Sequence, residues 1–360
     1  MDSVGARKKQ RAVAIWLWIG VGMTVFQIAL GGITRLTGSG LSITEWNVVT
    51  GTLPPLSAAD WQSEFLKYQQ TPQFQLLNME FTLGDFKFIY FWEWFHRLWA
   101  RLIGLVFAAG FIYFLVTKSF KKTMVTPLIG LFLLGGLQGA IGWIMVASGL
   151  TGDAVYVKPT RLALHFIFAL ILLSYTTWIA LQHSISSKSN IEAPQLKKWL
   201  LWGIPLVIVQ LMYGALMAGH KAATAAPTWP DINGAMVPDG LFFHQPALIN
   251  FIDNTILVHF IHRGIAYLLV IGVLFWTWKA MQLKNVSNTF SKWRWFPAAL
   301  ILVQLILGIA SVLFSTQIVP NTWGLFEWAA QLHQLVGMAF LLSLISLWYL
   351  MTPRQNELAA

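Results

Sequence analysis

Runs of about twenty apolar residues recur along the chain near 13–34, 88–116, 124–147, 161–182, 198–219, 255–279, 296–315 and 327–351. Each is long enough to cross roughly 30 Å of hydrocarbon as a helix. The pattern predicts an all-α membrane protein with eight transmembrane helices. Arg7, Lys8, Lys9 and Arg11 precede the first run as they would a signal peptide. That run outlasts an h-region and no cleavage pattern follows it, so it is expected to remain as a helix.

Between the spans, the connections at about 35–87 and 220–254 are long, whereas those after the third and seventh spans are short, so the layout repeats after four spans. The polar, turn-rich stretch from Ser184 to Pro194 reads as a linker. It divides the chain into an N-terminal half, 1–190, and a C-terminal half, 191–360. A motif repeat supports the division. Spans one, three, five and seven carry Gln-x-x-x-Gly at Gln27/Gly31, Gln138/Gly142, Gln210/Gly214 and Gln304/Gly308, and spans two, four, six and eight carry His96, His165, His262 and His333. Two pseudo-symmetric four-helix bundles in the same orientation are therefore expected, related by an axis along the membrane normal. The Gln-x-x-x-Gly helices read first as packing devices, with glycine for close approach and glutamine bonded to a neighbouring helix, rather than as direct cofactor contacts.

Charge adds topology. Fifteen of the 24 basic residues (Arg7, Lys8, Lys9, Arg11, Lys118, Lys121, Lys122, Lys188, Lys197, Lys198, Lys279, Lys284, Lys292, Arg294 and Arg354) sort to one face, with only Asp2, Glu192 and Glu357 among the acids. The positive-inside rule then puts both termini in the cytoplasm. The net charge of +10 points to anionic headgroups of the bilayer and not to nucleic acid, because the charges lie in short loops. Cysteine is absent, which excludes iron–sulfur clusters, thiolate-ligated or covalently attached haem, and disulfides.

The four histidines are the candidate chemistry. Each is placed one to three turns into an even-numbered span, and the residue at i+4 is small every time: Ala100, Ala169, Ala266 and Gly337. A single intramembrane histidine can bridge two helices, but four at matched positions beside cleared space suit axial ligation of a flat macrocycle. Bis-histidine haem fits this pattern, and zinc or di-iron sites do not. Arg97 and Arg263 follow two of the histidines, while Arg35 and Arg161 stand at outer span ends. They are candidates for haem propionates, with snorkelling to headgroups as the alternative. The halves differ at one place, Glu93-x-x-His96-Arg97 against His259-x-x-His262-Arg263. Glu93 could move protons beside a haem ligand, or pair with Arg97 or Arg101; His259 reads as a supporting residue or a spare ligand. His183, His220 and His244 read as interfacial.

The segment Gly31-Gly32-Ile33-Thr34-Arg35-Leu36-Thr37-Gly38-Ser39-Gly40-Leu41-Ser42, the Glu93-x-x-His96-Arg97 motif, the second outer loop Pro227–Gly234 and the duplicated eight-span layout together resemble the haem A synthase family over nearly the whole chain. The resemblance implies oxidation of the C8 methyl of haem O to the formyl of haem A, used by terminal oxidases. It also implies that His262 and His333 ligate a resident haem b, that His96 and His165 frame the substrate haem iron, and that Glu93 is the catalytic acid. The lack of cysteine resembles the proteobacterial and mitochondrial branch, and His259 departs from the non-ligating polar residue expected there. The N-terminus lacks an Arg/Ser-rich transit peptide, so a bacterial inner membrane is the expected location.

The chief rival is a bis-histidine b-type cytochrome passing electrons to or from quinone; a transporter of parallel repeats ranks behind it, since the polar residues cluster at the outer ends. With no dinucleotide fingerprint in the chain, the electron carrier must be external. Association with the farnesyltransferase that makes haem O is expected from the insolubility of that intermediate.

Overall fold

A computed structural model describes residues 3–47 and 50–352. Asp2, Arg354 and Glu357, part of the charge pattern, lie outside the described residues. Among those described, eight helices are long and apolar enough to cross a membrane. They are α1 (Ser3–Leu36), α2 (Leu83–Val116), α3 (Lys122–Ala147), α4 (Pro159–Ser184), α5 (Pro194–Gly219), α6 (Thr255–Met281), α7 (Phe296–Leu313) and α8 (Leu325–Leu350). The protein is an all-α, multi-pass membrane protein.

The helix ends follow from local chemistry. Thr82 and Asp85 form a capping box that starts α2 at Leu83, about a turn before its apolar run. His96 therefore lies more than three turns into its helix, deeper than the apolar pattern alone predicts. The opposite ends restore the match. Counted back from Val116, Ser184, Met281 and Leu350, the four histidines stand 20, 19, 19 and 17 residues in (116 − 96, 184 − 165, 281 − 262, 350 − 333). Asn254 caps α6 by accepting from the amides of Ile256 and Leu257. Pro194 and Pro297 occupy first-turn positions of α5 and α7, where proline's missing N–H costs nothing.

Two compact units divide the chain: one comprises Gly22–Ala169 and Val319–Trp323, the other Met1–Val21, Leu170–Ile318 and Gly324–Ala360. The first carries a folded cap within the long connection before α2. Its helices, Ala58–Gln69 and Pro72–Leu77, start at Ser57 and Thr71, whose side chains accept from Asp60 and Phe74 amides. Phe65, Tyr68 and Phe74 pack with Phe86, Ile89 and Tyr90 of α2 into one apolar cluster. Lys67 pairs with Glu64 at 2.7 Å and Glu45 at 2.9 Å, fastening the cap to the segment after α1. Burial pushes the Tyr68 hydroxyl up to about 12.

In the second unit, the stretch read as a linker is bonded down. The Ile191 amide donates to the Leu350 carbonyl at 2.9 Å, the Asn190 amide to the Tyr349 and Thr352 carbonyls, and Ser287 Oγ to the Ser189 carbonyl at 2.6 Å. Trp18 Nε1 donates to Ser184 Oγ at 2.7 Å, and Trp276 Nε1 to the Leu196 carbonyl at 3.0 Å.

Phe86 is fully buried between Trp61, Phe65, Tyr68 and Tyr90. Its replacement by alanine is expected to cost about 3–5 kcal/mol. The Phe86→Ala protein should melt at lower temperature in detergent and be cleaved by protease within 57–82; an unchanged melting point and digest would show that the cap is held by something else.

Candidate haem-binding histidines

The four Gln-x-x-x-Gly motifs share one geometry: each cradles the histidine of the next spanning helix. Gln27 Nε2 lies 3.1 Å from His96 Nε2 and donates to the His96 carbonyl at 3.1 Å. Gln138 Nε2 lies 3.2 Å from Nδ1 and 3.4 Å from Nε2 of His165, and donates to its carbonyl at 3.0 Å. Gln210 Nε2 is 3.4 Å from His262 Nε2, and Gln304 Nε2 is 3.2 Å from His333 Nε2. The partner glycine lies beneath each ring. A Cβ on Gly31, Gly142, Gly214 or Gly308 would come within 3.1, 2.9, 3.3 or 3.0 Å of the Cε1 of His96, His165, His262 or His333. A side chain at Gly142 would force a shift, and at the other three the ring would have to give by a few tenths of an ångström.

These distances also bear on tautomers. An amide nitrogen only donates, and the Gln27 and Gln138 nitrogens also meet carbonyl oxygens, which settles the orientation of both amides. The His96 nitrogen facing Gln27 is thus an acceptor, its lone pair turned to the Gln27 amide. For His333 the assignment is complete: Nδ1 meets the Gln304 carbonyl at 3.1 Å, so Nδ1–H donates and the lone pair is on Nε2. A neutral imidazole held by an Nδ1–H to carbonyl bond is the form that ligates a metal through Nε2.

His262 and His333 come from α6 and α8, and their ring centroids are 6.4 Å apart at 71°. An imidazole–metal bond is about 2 Å, so two rings on opposite sides of one metal hold their centroids roughly 6 Å apart. The pair fits bis-histidine haem in donor type and ring separation, and His333 also in tautomer. The buried Oε1 atoms of Gln27, Gln138, Gln210 and Gln304 have no hydrogen-bond partner among the described residues, so each site keeps unused polar capacity. A Cβ on Gly337 would lie 3.0 Å from Gln304 Nε2, so this small residue also clears space for the cradle.

The arginines bond the main chain. Arg97 donates to the Ile43 and Glu45 carbonyls, both at 3.0 Å, and pairs with Glu93. Arg161 donates to the Ile144 carbonyl near the end of α3 at 3.0 Å. Arg263 donates to the Asp231 and Thr228 carbonyls at 2.7 Å each and to His259 Nε2 at 3.0 Å. Arg35 stands in the last turn of α1, where a cation suits the helix dipole. Glu93 is 3% exposed and accepts from Ser42 Oγ at 2.8 Å and the Ile43 amide at 2.9 Å. In the second outer loop, the Thr228 hydroxyl and the Gly234 amide hold the Asp231 carboxyl below the usual carboxylate range. His220 Nε2 donates to the Ile252 carbonyl at 2.6 Å and ties the end of α5 to the segment before α6.

The sequence pattern singled out the glutamines and glycines but not their target. The available signal was the pairing of Gln/Gly at i, i+4 in one span with His/small at i, i+4 in the next.

Comparison with known proteins bears on the same stretch. The model of the COX15-CtaA family, described as a cytochrome oxidase assembly protein, matches residues 14–345. The Heme A synthase of Methylorubrum extorquens is 43% identical over 334 residues, covering 92% of this chain and 84% of that protein. The Heme A synthase of Bartonella quintana is 37% identical over 345 residues, covering 95% and 93%. That of Parvibaculum lavamentivorans is 43% identical over 304 residues, covering 84% and 86%.

The cradle makes a direct prediction. Gly308→Ala should push the His333 ring aside and lower the amount, or shift the absorption, of haem carried by the purified protein. Gly136→Ala, with nothing within 4 Å of its added methyl, should leave both unchanged. Identical spectra for the two variants would mean that the glycine does not set the ring.

Proposed function

The chain belongs to the COX15-CtaA family of cytochrome oxidase assembly proteins, and from that premise we propose that it is a haem A synthase: an oxidoreductase that converts the C8 methyl of haem O to the formyl of haem A. The observation that supports this reading is the repeated cradle, in which each of four histidines in the spanning helices meets a glutamine amide and a bare glycine α-carbon of the preceding span. An electron-relay cytochrome would need the same ligands, but relatives spanning nearly the whole chain are named for the synthase.

In this reading the halves 1–190 and 191–360 divide the work. His262 and His333 would hold a resident haem b, and His96 and His165 would frame the iron of haem O. When bound, haem b supplies a one-electron redox centre. The chain contributes position: Gln304 holds the His333 tautomer through its carbonyl, and the glycines set the ring planes. Arg35, Arg97, Arg161 and Arg263 are cationic partners for propionates; Arg97 and Arg161 keep donors beyond their carbonyl bonds, whereas Arg263, with five acceptors for its five N–H groups, acts through its charge. Glu93 is required for conversion. The methyl takes its oxygen from water to give the alcohol, with loss of two electrons and two protons, and the alcohol loses two more of each to give the aldehyde; an external carrier takes the four electrons. The enzyme belongs in a bacterial inner membrane with both termini cytoplasmic, by its basic face, and associates with the farnesyltransferase that supplies haem O.

The test is to express the protein with and without a haem O supply, extract its non-covalent haems and identify them by chromatography and mass. Haem A or its alcohol precursor should appear only when both are present; haem B alone, despite available haem O, would replace this reading with the electron-relay cytochrome. His262→Ala and His333→Ala should each remove the b-type absorption of the purified protein, and an unchanged spectrum in both would overturn their assignment as ligands.

A further inference from the structure

Three residues before His96 stands Glu93, and three before His262 stands His259; one residue after each histidine stands an arginine. The two clusters make the same bonds with different acceptors. In the first unit, Arg97 NH2 pairs with Glu93 Oε1 and donates to the Ile43 carbonyl at 3.0 Å, while NH1 donates to the Glu45 carbonyl at 3.0 Å. Glu93 Oε2 accepts from the Ile43 amide and Ser42 Oγ. The Ile43 residue is therefore clasped from both sides, its N–H by Glu93 and its C=O by Arg97. The guanidinium also lies 5.1 Å from the Trp46 ring centroid. In the second unit, Arg263 Nε donates to His259 Nε2 at 3.0 Å, and its two terminal nitrogens donate to the Asp231 and Thr228 carbonyls. Arginine cannot accept, so His259 presents a lone pair to it.

We propose that Glu93 and His259 are equivalent positioning residues: each fixes the arginine at i+4 as a latch that holds an outer loop against the helix carrying an axial histidine. This rests on the reading of the histidine sites given above and revises the role of Glu93 within it. The difference between the halves is then a choice of acceptor, not a catalytic acid present in one copy. Both Glu93 oxygens are engaged by three donors, and a proton-transfer role would have to release Arg97 or the Ser42–Ile43 segment first. The latch also gives the fully buried His259 a use. It serves where a neutral acceptor is enough to orient a guanidinium already committed to the carbonyls of Ala226, Thr228, Pro230 and Asp231.

The test compares Glu93→Ala, Arg97→Ala, the double variant and Glu93→His, each in the full-length protein, with the b-type absorption as the check that the rest of the fold is intact. Two readouts are taken: conversion of haem O, and amide hydrogen exchange over residues 42–47. The latch predicts that the two single variants lose conversion tenfold or more and lose Ile43 protection alike. The double variant should be no worse than either, since the residues act as one unit. Glu93→His, copying the other half, should restore protection and at least a third of conversion. Loss of conversion in Glu93→Ala with Ile43 protection intact, or full conversion in Arg97→Ala, would overturn the proposal and return Glu93 to direct chemistry. If the wild-type protein converts no haem O, the synthase reading fails while hydrogen exchange still decides the latch. In the second unit, His259→Leu should expose the Asn233 and Gly234 amides to exchange and His259→Glu should protect them; the reverse order would count against equivalence.

Discussion

An imidazole inside a membrane helix has to be met by a partner, because an unsatisfied polar group in hydrocarbon costs several kcal/mol. In this protein the partner comes from the preceding spanning helix, and it comes the same way four times. One turn of helix supplies both halves of the device: a glutamine amide for a ring nitrogen, and a glycine four residues on that leaves room for the ring. The requirement couples α1 to α2, α3 to α4, α5 to α6 and α7 to α8. Gly337 shows how far it reaches, since α8 also gives up a side chain to let the Gln304 amide lie against it.

A second constraint acts at the outer ends. The chain leaves α1 through Gly38, whose positive φ of 68° turns it, and Ser39 and Ser42 are buried in the turn that follows. Gly149, in the connection after α3, lies so near Leu41 that a Cβ would approach its methyls to 2.8 Å. Buried backbone of this kind needs donors and acceptors for its peptide groups. Arg97, Arg101 and Arg263 supply donors to loop carbonyls, and Gln73 donates to the carbonyls of Gly38 and Val155. Arginine suits the task because one planar group reaches two or three oxygens in fixed directions.

Much of this was legible in the sequence, and the limits have physical causes. The spans follow from apolar runs, and their observed ends differ by a few residues where caps such as Thr82/Asp85 extend a helix beyond its apolar core. The histidines were legible as candidates because charge and polarity are scarce at that depth. Their cradles were not, since His96 lies 69 residues from Gln27 and His262 lies 52 from Gln210, and i, i+4 spacing within a helix does not say what lies across from it. The helices of the cap were missed for a different reason. They are short and carry their signal in cap residues such as Ser57 and Asp60, not in a long apolar period. The arginines were legible as cations near polar ends, but carbonyl oxygens leave no trace in a sequence, so their loop bonds could be read only from the fold.

The four cradles are alike but not identical, and the difference bears on which pair should hold a ligand permanently. His333 is anchored at Nδ1, whose N–H donates to the Gln304 carbonyl, while Nε2, the nitrogen with the lone pair, faces the amide of the same residue. His96 Nδ1, by contrast, has no hydrogen-bond partner among the described residues, and His165 faces the Gln138 amide with both ring nitrogens at similar distances. Outer-shell anchoring of a ligating imidazole is worth about 10–100-fold in affinity. A resident cofactor gains from that anchoring, whereas a haem that must leave after oxidation is better served by ligands whose rings are less firmly set. His262 Nδ1 is without such a bond, so the anchoring sets apart one ring, His333, and it belongs to the pair that the proposed function assigns to the retained haem.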